Sequence, residues 1–134
     1  MSAMKQSCRE PEADLRAPVV LVAEDEILIR ITLTQHLRNA GFRIIEASGA
    51  SEAIGILSSG ERVDVLFTDV RMPGDSDGIR LAQWVKQNHP GVRIVFASGE
   101  KNIGEIVHGT RLFPKPYDLE EVESYIRELV ADLE

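Results

Sequence analysis

Cysteine is almost absent from this sequence: Cys8 stands alone among 134 residues. A lone cysteine cannot close an internal disulfide, which excludes a disulfide-stapled scaffold and fits a reducing, cytoplasmic setting. Long hydrophobic runs are missing too. The longest, Val19 to Ala23, falls far short of the roughly 20 residues that cross a bilayer, and no membrane role is expected. The N-terminal stretch lacks the apolar middle of a signal peptide. There is no basic excess: 15 Lys and Arg face 22 Asp and Glu, a formal charge of −7. Proteins that grip a phosphate backbone carry the reverse balance, so direct nucleic-acid binding is not expected. No GxxxxGK[ST] or GxGxxG run occurs, which removes the common nucleotide cradles. Neither internal repeats nor low-complexity tracts are present.

What is present, 43% hydrophobic and 28% charged residues, is the mixture of one globular domain. Met1 to Ala17 mixes charges without apolar periodicity and reads as a flexible N-terminal tail, leaving a single domain over 18–134. Within it two kinds of segment alternate. Short apolar runs at Val19–Ala23, Arg43–Ala47, Val63–Thr68, Arg93–Ala97 and, weakly, Arg111–Phe113 predict strands. Amphipathic stretches at Ile27–Asn39, Ser51–Leu57, Gly78–Asn88 and Asp118–Leu133 predict helices. Gly41 closes the first, Pro90 stops the third, and Asp118 with Glu121 caps the last. Strict alternation, with strands apolar on both faces, calls for an α/β fold with a parallel sheet covered on both sides.

In such sheets ligands bind beyond the carboxyl ends of the strands. There the first strand runs into Glu24, Asp25 and Glu26, and the third into Asp69. The fourth runs into Ser98 and Gly99, and the fifth into Lys115 and Pro116. Each has an ordinary reading alone: Asp25 as a helix N-cap, Asp69 as a turn residue, Ser98 and Lys115 as solvated loop residues. Together they are harder to explain so. Two carboxylates about 4 Å apart repel by roughly 4 kcal/mol at an effective dielectric near 20. One lysine does not offset several of them, and an oxygen-only donor set suits Mg²⁺. A metal site built on histidine is not expected, since His36, His89 and His108 fall on separate elements.

The runs Val22-Ala23-Glu24-Asp25-Glu26, Phe67-Thr68-Asp69-Val70-Arg71-Met72-Pro73-Gly74, Asp77-Gly78, Ala97-Ser98-Gly99 and Pro114-Lys115-Pro116, in that order, resemble the receiver domain of bacterial two-component response regulators. The likeness covers roughly Val19 to Leu133. It implies a flavodoxin-like doubly wound sheet of strand order 2-1-3-4-5. Asp69 would be the phosphoacceptor, with Lys115 and Ser98 pairing with phosphoryl oxygens. Asp25 and Asp69 would hold Mg²⁺, Glu24 would hold it through water, and the Arg71 backbone carbonyl would be a further ligand. The resemblance also implies a cis Lys115–Pro116 peptide. Expected partners are a sensor histidine kinase or histidine phosphotransfer protein and an unknown downstream protein, with the chain a monomer or weak homodimer. It reads as a stand-alone regulator that signals by protein contact or shuttles phosphate, not as a turnover enzyme.

Several positions depart from the family pattern. Glu24 stands where Asp is commoner, Ser98 replaces Thr, and the loop from Met72 to Gly78 is one residue longer. Leu112 occupies the place of a switching aromatic, and the stretch from Ser98 to Lys115 is short. Phe96-Ala97-Ser98-Gly99 resembles the Phe-Ala-Thr-Gly signature of a single-domain subclass. Residues 102–108 are expected to form a short helix ordered by phosphorylation, and Arg71 to pair with Glu100. Two rivals stand beside this reading: a small aspartyl-phosphate phosphatase, which wants an Asp where Arg71 stands, and an unphosphorylated adaptor, in which some site residue would be lost.

Overall fold

In the computed structural model the described residues are 17–72, 77–99 and 110–131. Residues 1–16 of the proposed tail, the segment 102–108, Glu100 and Leu133 lie outside them. Five strands form one parallel sheet: β1 (Val19–Ala23), β2 (Arg43–Ala47), β3 (Val65–Asp69), β4 (Arg93–Ser98) and β5 (Leu112–Pro114). Their order is β2-β1-β3-β4-β5, the doubly wound arrangement expected. Four helices are described: α1 (Ile27–Asn39), α2 (Ala50–Ser58), α3 (Gly78–Asn88) and α4 (Leu119–Val130).

Strand alternation sorts the core into two layers. Val20, Val22, Val65, Phe67, Val95, Ala97 and Phe113 point to one face. There they meet Leu33 and Leu37 of α1 and Val122, Ile126 and Val130 of α4, spaced to make one stripe on each helix. Leu21, Ala23 and Leu66 point the other way, against Ala50, Ala53 and Leu57 of α2 and Leu81 and Val85 of α3. Leu112 packs with Ile79 and Ile94 on a third, small cluster of Val70, Ala82 and Phe96. The position expected to lack a switching ring is therefore filled by an aliphatic side chain held in that cluster.

Helix ends follow local chemistry. Gly41, just past α1, takes φ = 103°, a backbone angle that a side chain would strain. Asp118 caps α4, its Oδ1 accepting from the main-chain nitrogens of Glu120 (2.8 Å) and Glu121 (3.4 Å). Asp77 caps α3 by accepting from Arg80 N at 3.0 Å. Asp25 is not the N-cap of α1. That place belongs to Glu26, whose side chain makes no capping bond, so the ordinary explanation for Asp25 does not hold.

Candidate functional site

Sheet register assembles the site. Thr68 pairs with Ala23, so Glu24 and Asp69 emerge side by side from β1 and β3. Asp69 pairs with Ala97, which sets Ser98 on the neighbouring strand, and Ser98 pairs with Pro114. The main-chain nitrogen of Lys115 then donates to Ser98 O at 2.8 Å. The Lys115–Pro116 peptide is cis, as expected. Glu24, Asp69, Ser98 and Lys115 thus stand at one edge, on four adjacent strands.

Lys115 is the hub. Its Nζ lies 2.8 Å from Asp69 Oδ2, 2.9 Å from Glu24 Oε1 and 3.9 Å from Glu26 Oε1. The Asp69 contact is a hydrogen bond. The Glu24 contact is an ion pair without hydrogen-bond alignment, since Oε1 has no bonded partner. The other oxygens are held by backbone: Glu26 N donates to Glu24 Oε2 at 3.0 Å, and Arg71 N to Asp69 Oδ1 at 3.3 Å. Glu24 (1% exposed) and Asp69 (6%) are buried. Burial is the largest influence on Glu24 and pushes its carboxyl pKa up, against the hydrogen bond from Glu26 N and the nearby Lys115 ammonium. Burial also pulls the Lys115 ammonium down, yet its close contacts with the Asp69 and Glu24 carboxylates outweigh it and the net shift is upward. Lys115 therefore stays charged.

Charge balance shows what the site suits. Glu24, Asp25 and Asp69 offer carboxylate oxygens within 4.8 Å of one another. Three carboxylates less one close ammonium leave two negative charges. A divalent cation with a preference for oxygen would offset them, so the residues present fit Mg²⁺.

Three contributors were given no role in the site from sequence. Arg30 Nη1 donates to the Glu24 carbonyl at 2.8 Å while its Nε donates to Glu46 Oε1 on β2 at 3.0 Å, which ties the acidic loop to the sheet. Gly78, the first residue of α3, donates its N–H to Val70 O at 2.9 Å and backs onto the Asp69 main chain. Tyr117 stands edge-on to Phe67 with ring centroids 5.6 Å apart. The Asp77-Gly78 pair was visible in the chain, but nothing local announces a contact with Asp69. Arg30 follows Asp25 by little more than one helical turn, which was the one available signal for its reach back to Glu24.

The model of the response regulator receiver domain family matches residues 20–127. The chain belongs to that family. It is 28% identical to the DNA-binding transcriptional regulator NtrC of Salmonella typhimurium over 118 residues, covering 84% of this chain and 25% of NtrC. The Azospirillum brasilense NtrC is 32% identical over 117 residues, covering 84% of this chain and 24% of its own length. The chain thus spans about a quarter of these curated relatives. A response regulator receiver protein from Sinorhizobium medicae superposes with a TM-score of 0.81 at 27% identity, covering 90% of this chain and 99% of that one. TrrA of Thermotoga maritima, solved in complex with Mg(2+)-BeF, shares the fold at 22% identity and a TM-score of 0.76, covering 84% and 98%. Receiver domains are signalling modules of two-component systems that interact with histidine kinases and downstream effectors. No helix among the described residues is long and apolar enough to cross a membrane.

Proposed function

We propose that this chain is a stand-alone receiver that takes a phosphoryl group from a phosphohistidine onto Asp69 and then signals by protein contact or passes the phosphate on. The observation that supports the reading best is the triangle of Glu24, Asp69 and the shared Lys115 ammonium. A dianionic phosphoryl group meets repulsion at two buried carboxylates unless cations stand ready. Lys115 supplies one charge. Mg²⁺, held by Asp25, Asp69 and the Arg71 carbonyl and through water by Glu24, would supply charge neutralisation at the phosphoryl oxygens.

Asp69 oxygen forms the new bond to phosphorus as the phosphorus–nitrogen bond to histidine breaks, its electron pair returning to the imidazole. Arg71 N and Lys115 Nζ hold the carboxylate for that approach. Lys115 then turns toward a phosphoryl oxygen, and the Ser98 hydroxyl, one strand away, takes another. The donor protein needs a seat beside this edge. The start of α1 offers one: Ile27, Leu28 and Ile31 are 59%, 79% and 43% exposed, and a groove of about 320 Å³ runs from Leu28 and Ile29 to Lys115, Pro116 and Leu119.

Incubation with acetyl phosphate and Mg²⁺ should add one phosphoryl mass, and Asp69→Ala should gain none. Labelling of the Ala variant, or labelling indifferent to EDTA, would falsify the assignment.

A further inference from the structure

Two buried side-chain atoms have no hydrogen-bond partner among the described residues: Oε1 of Glu24 and the hydroxyl of Tyr117. The first can only accept, and the second, a phenol, can donate. A buried hydroxyl without a partner is a cost that a fold usually avoids. Tyrosine rather than phenylalanine at this place therefore asks for a reason.

The ring itself is fixed. Tyr117 packs edge-on to Phe67 at an interplanar angle of 75°, and Phe67 lies two residues before Asp69 on β3. Tyr117 also follows Lys115 by two residues and lines the same groove. Burial, and then the charges of Glu24, Asp69 and Glu26, push the phenol pKa well up, so the hydroxyl keeps its proton and stays a donor. Meanwhile Lys115 Nζ is divided between Asp69 at 2.8 Å and Glu24 at 2.9 Å. When that ammonium turns to a phosphoryl oxygen, Glu24 Oε1 loses its direct ammonium contact.

We propose that Tyr117 is a positioning residue whose hydroxyl donates to the Glu24 carboxylate in the phosphorylated protein, taking over the place that Lys115 leaves. The inference rests on the reaction proposed above. It gives the two atoms a common purpose: the Tyr117 hydroxyl has no hydrogen-bond partner among the described residues in the resting protein, and Glu24 Oε1 is held there only by the Lys115 ion pair that phosphorylation draws away. It also separates function from packing, since Tyr117→Phe keeps the ring against Phe67 and removes only the hydroxyl.

The test compares the wild type with Tyr117→Phe in two measurements. One is the affinity for beryllofluoride, a stand-in for the phosphoryl group, by calorimetry in saturating Mg²⁺. The other is the thermal midpoint of the metal-free protein. Beryllofluoride binding should weaken by about tenfold, at the lower end of what a hydrogen bond to a charged group contributes. The metal-free midpoint should stay or rise, because an orphaned hydroxyl has gone. Unchanged beryllofluoride binding overturns the inference. So does a midpoint that falls, which would mean that the hydroxyl already serves the resting fold. A wild type that neither binds beryllofluoride nor takes phosphate from acetyl phosphate removes the proposed function and this inference together. A wild type that does both while Tyr117→Phe binds beryllofluoride equally well removes this inference alone.

Discussion

Gly78 leaves no room for a side chain against Asp69: a methyl carbon added to it would lie 1.9 Å from the Asp69 carbonyl oxygen and 2.9 Å from Thr68 Oγ1. The neighbour is backbone at the end of the central strand, not the tip of a flexible side chain. Its angle is not in the left-handed region, so the requirement is one of space alone. Gly78→Ala should cost at least the ~1–3 kcal/mol typical of overpacking. It should also slow phosphorylation by displacing Asp69. Urea unfolding together with acetyl phosphate labelling checks this, and a variant of wild-type stability would mean that α3 moves aside without cost.

Asp25 is the half-exposed member of the carboxylate cluster. Asp25→Asn should therefore leave the metal-free fold intact, or stabilise it slightly by easing repulsion. Mg²⁺ at a hundred times its dissociation constant stabilises a protein by about 2.7 kcal/mol. The wild type should show a rise of that order in thermal scans with Mg²⁺, reversed by EDTA, and Asp25→Asn should show little of it at the same concentration. A full response from the variant would remove Asp25 from the proposed metal site.

Leu28 is the most exposed of the three large apolar residues at the start of α1. If this patch seats the phosphodonor protein, Leu28→Glu should slow phosphotransfer from a cognate kinase by about tenfold, the loss of one well-buried interface anchor. Labelling by acetyl phosphate, which needs no docking surface, should be unchanged. Equal effects on the two donors would place the fault in the site itself and not in recognition.

A polar clasp joins the first and last helices: His36 Nε2 lies 2.9 Å from Glu123 Oε1, and Arg127 lies 3.2 Å from Glu123 Oε2. The His36 contact, more than the Arg127 ion pair, holds the Glu123 carboxyl below its ordinary pKa. A carboxyl depressed in the folded state adds stability above its unfolded pKa of 4.5 and loses it as pH falls through the folded value. The small stability difference between wild type and Glu123→Gln should thus be fully present above pH 4.5 and close on acidification below it. Thermal scans across that range check the sign.

Most of the architecture was legible from hydrophobic alternation. The ends of elements were less so, because pairing rather than composition sets them. Val63 looked like strand, yet β3 begins at Val65, where pairing to Val20 and Arg93 starts. β5 runs on through Pro114, which composition argues against. It is an edge strand, and with Lys115 N bonded to Ser98 the proline's ring nitrogen faces the open side, where no donor is needed. In the site, residues carried by motif spacing were readable: Glu24, Asp25, Asp69, Ser98 and Lys115. Contributors defined only by three-dimensional contact were not. Arg30 reaching the Glu24 carbonyl and Gly78 under Asp69 depend on where helices land on the sheet.

The ladder that carries Glu24, Asp69, Ser98 and Lys115 on adjacent strands also dictates where this protein can change length. A slip of one residue in a strand turns its side chains to the opposite face. One residue inserted between Val65 and Asp69 would carry the Asp69 carboxylate away from Lys115, and one inserted before Ser98 would undo its pairing with Pro114. The opposite rim of the sheet has no such constraint. Gly60 and Gly91 lie there in exposed turns, so fluorescent tags, affinity handles or whole reporter domains belong at those two points. Chimaeras assembled from this chain should join their parts at the same rim.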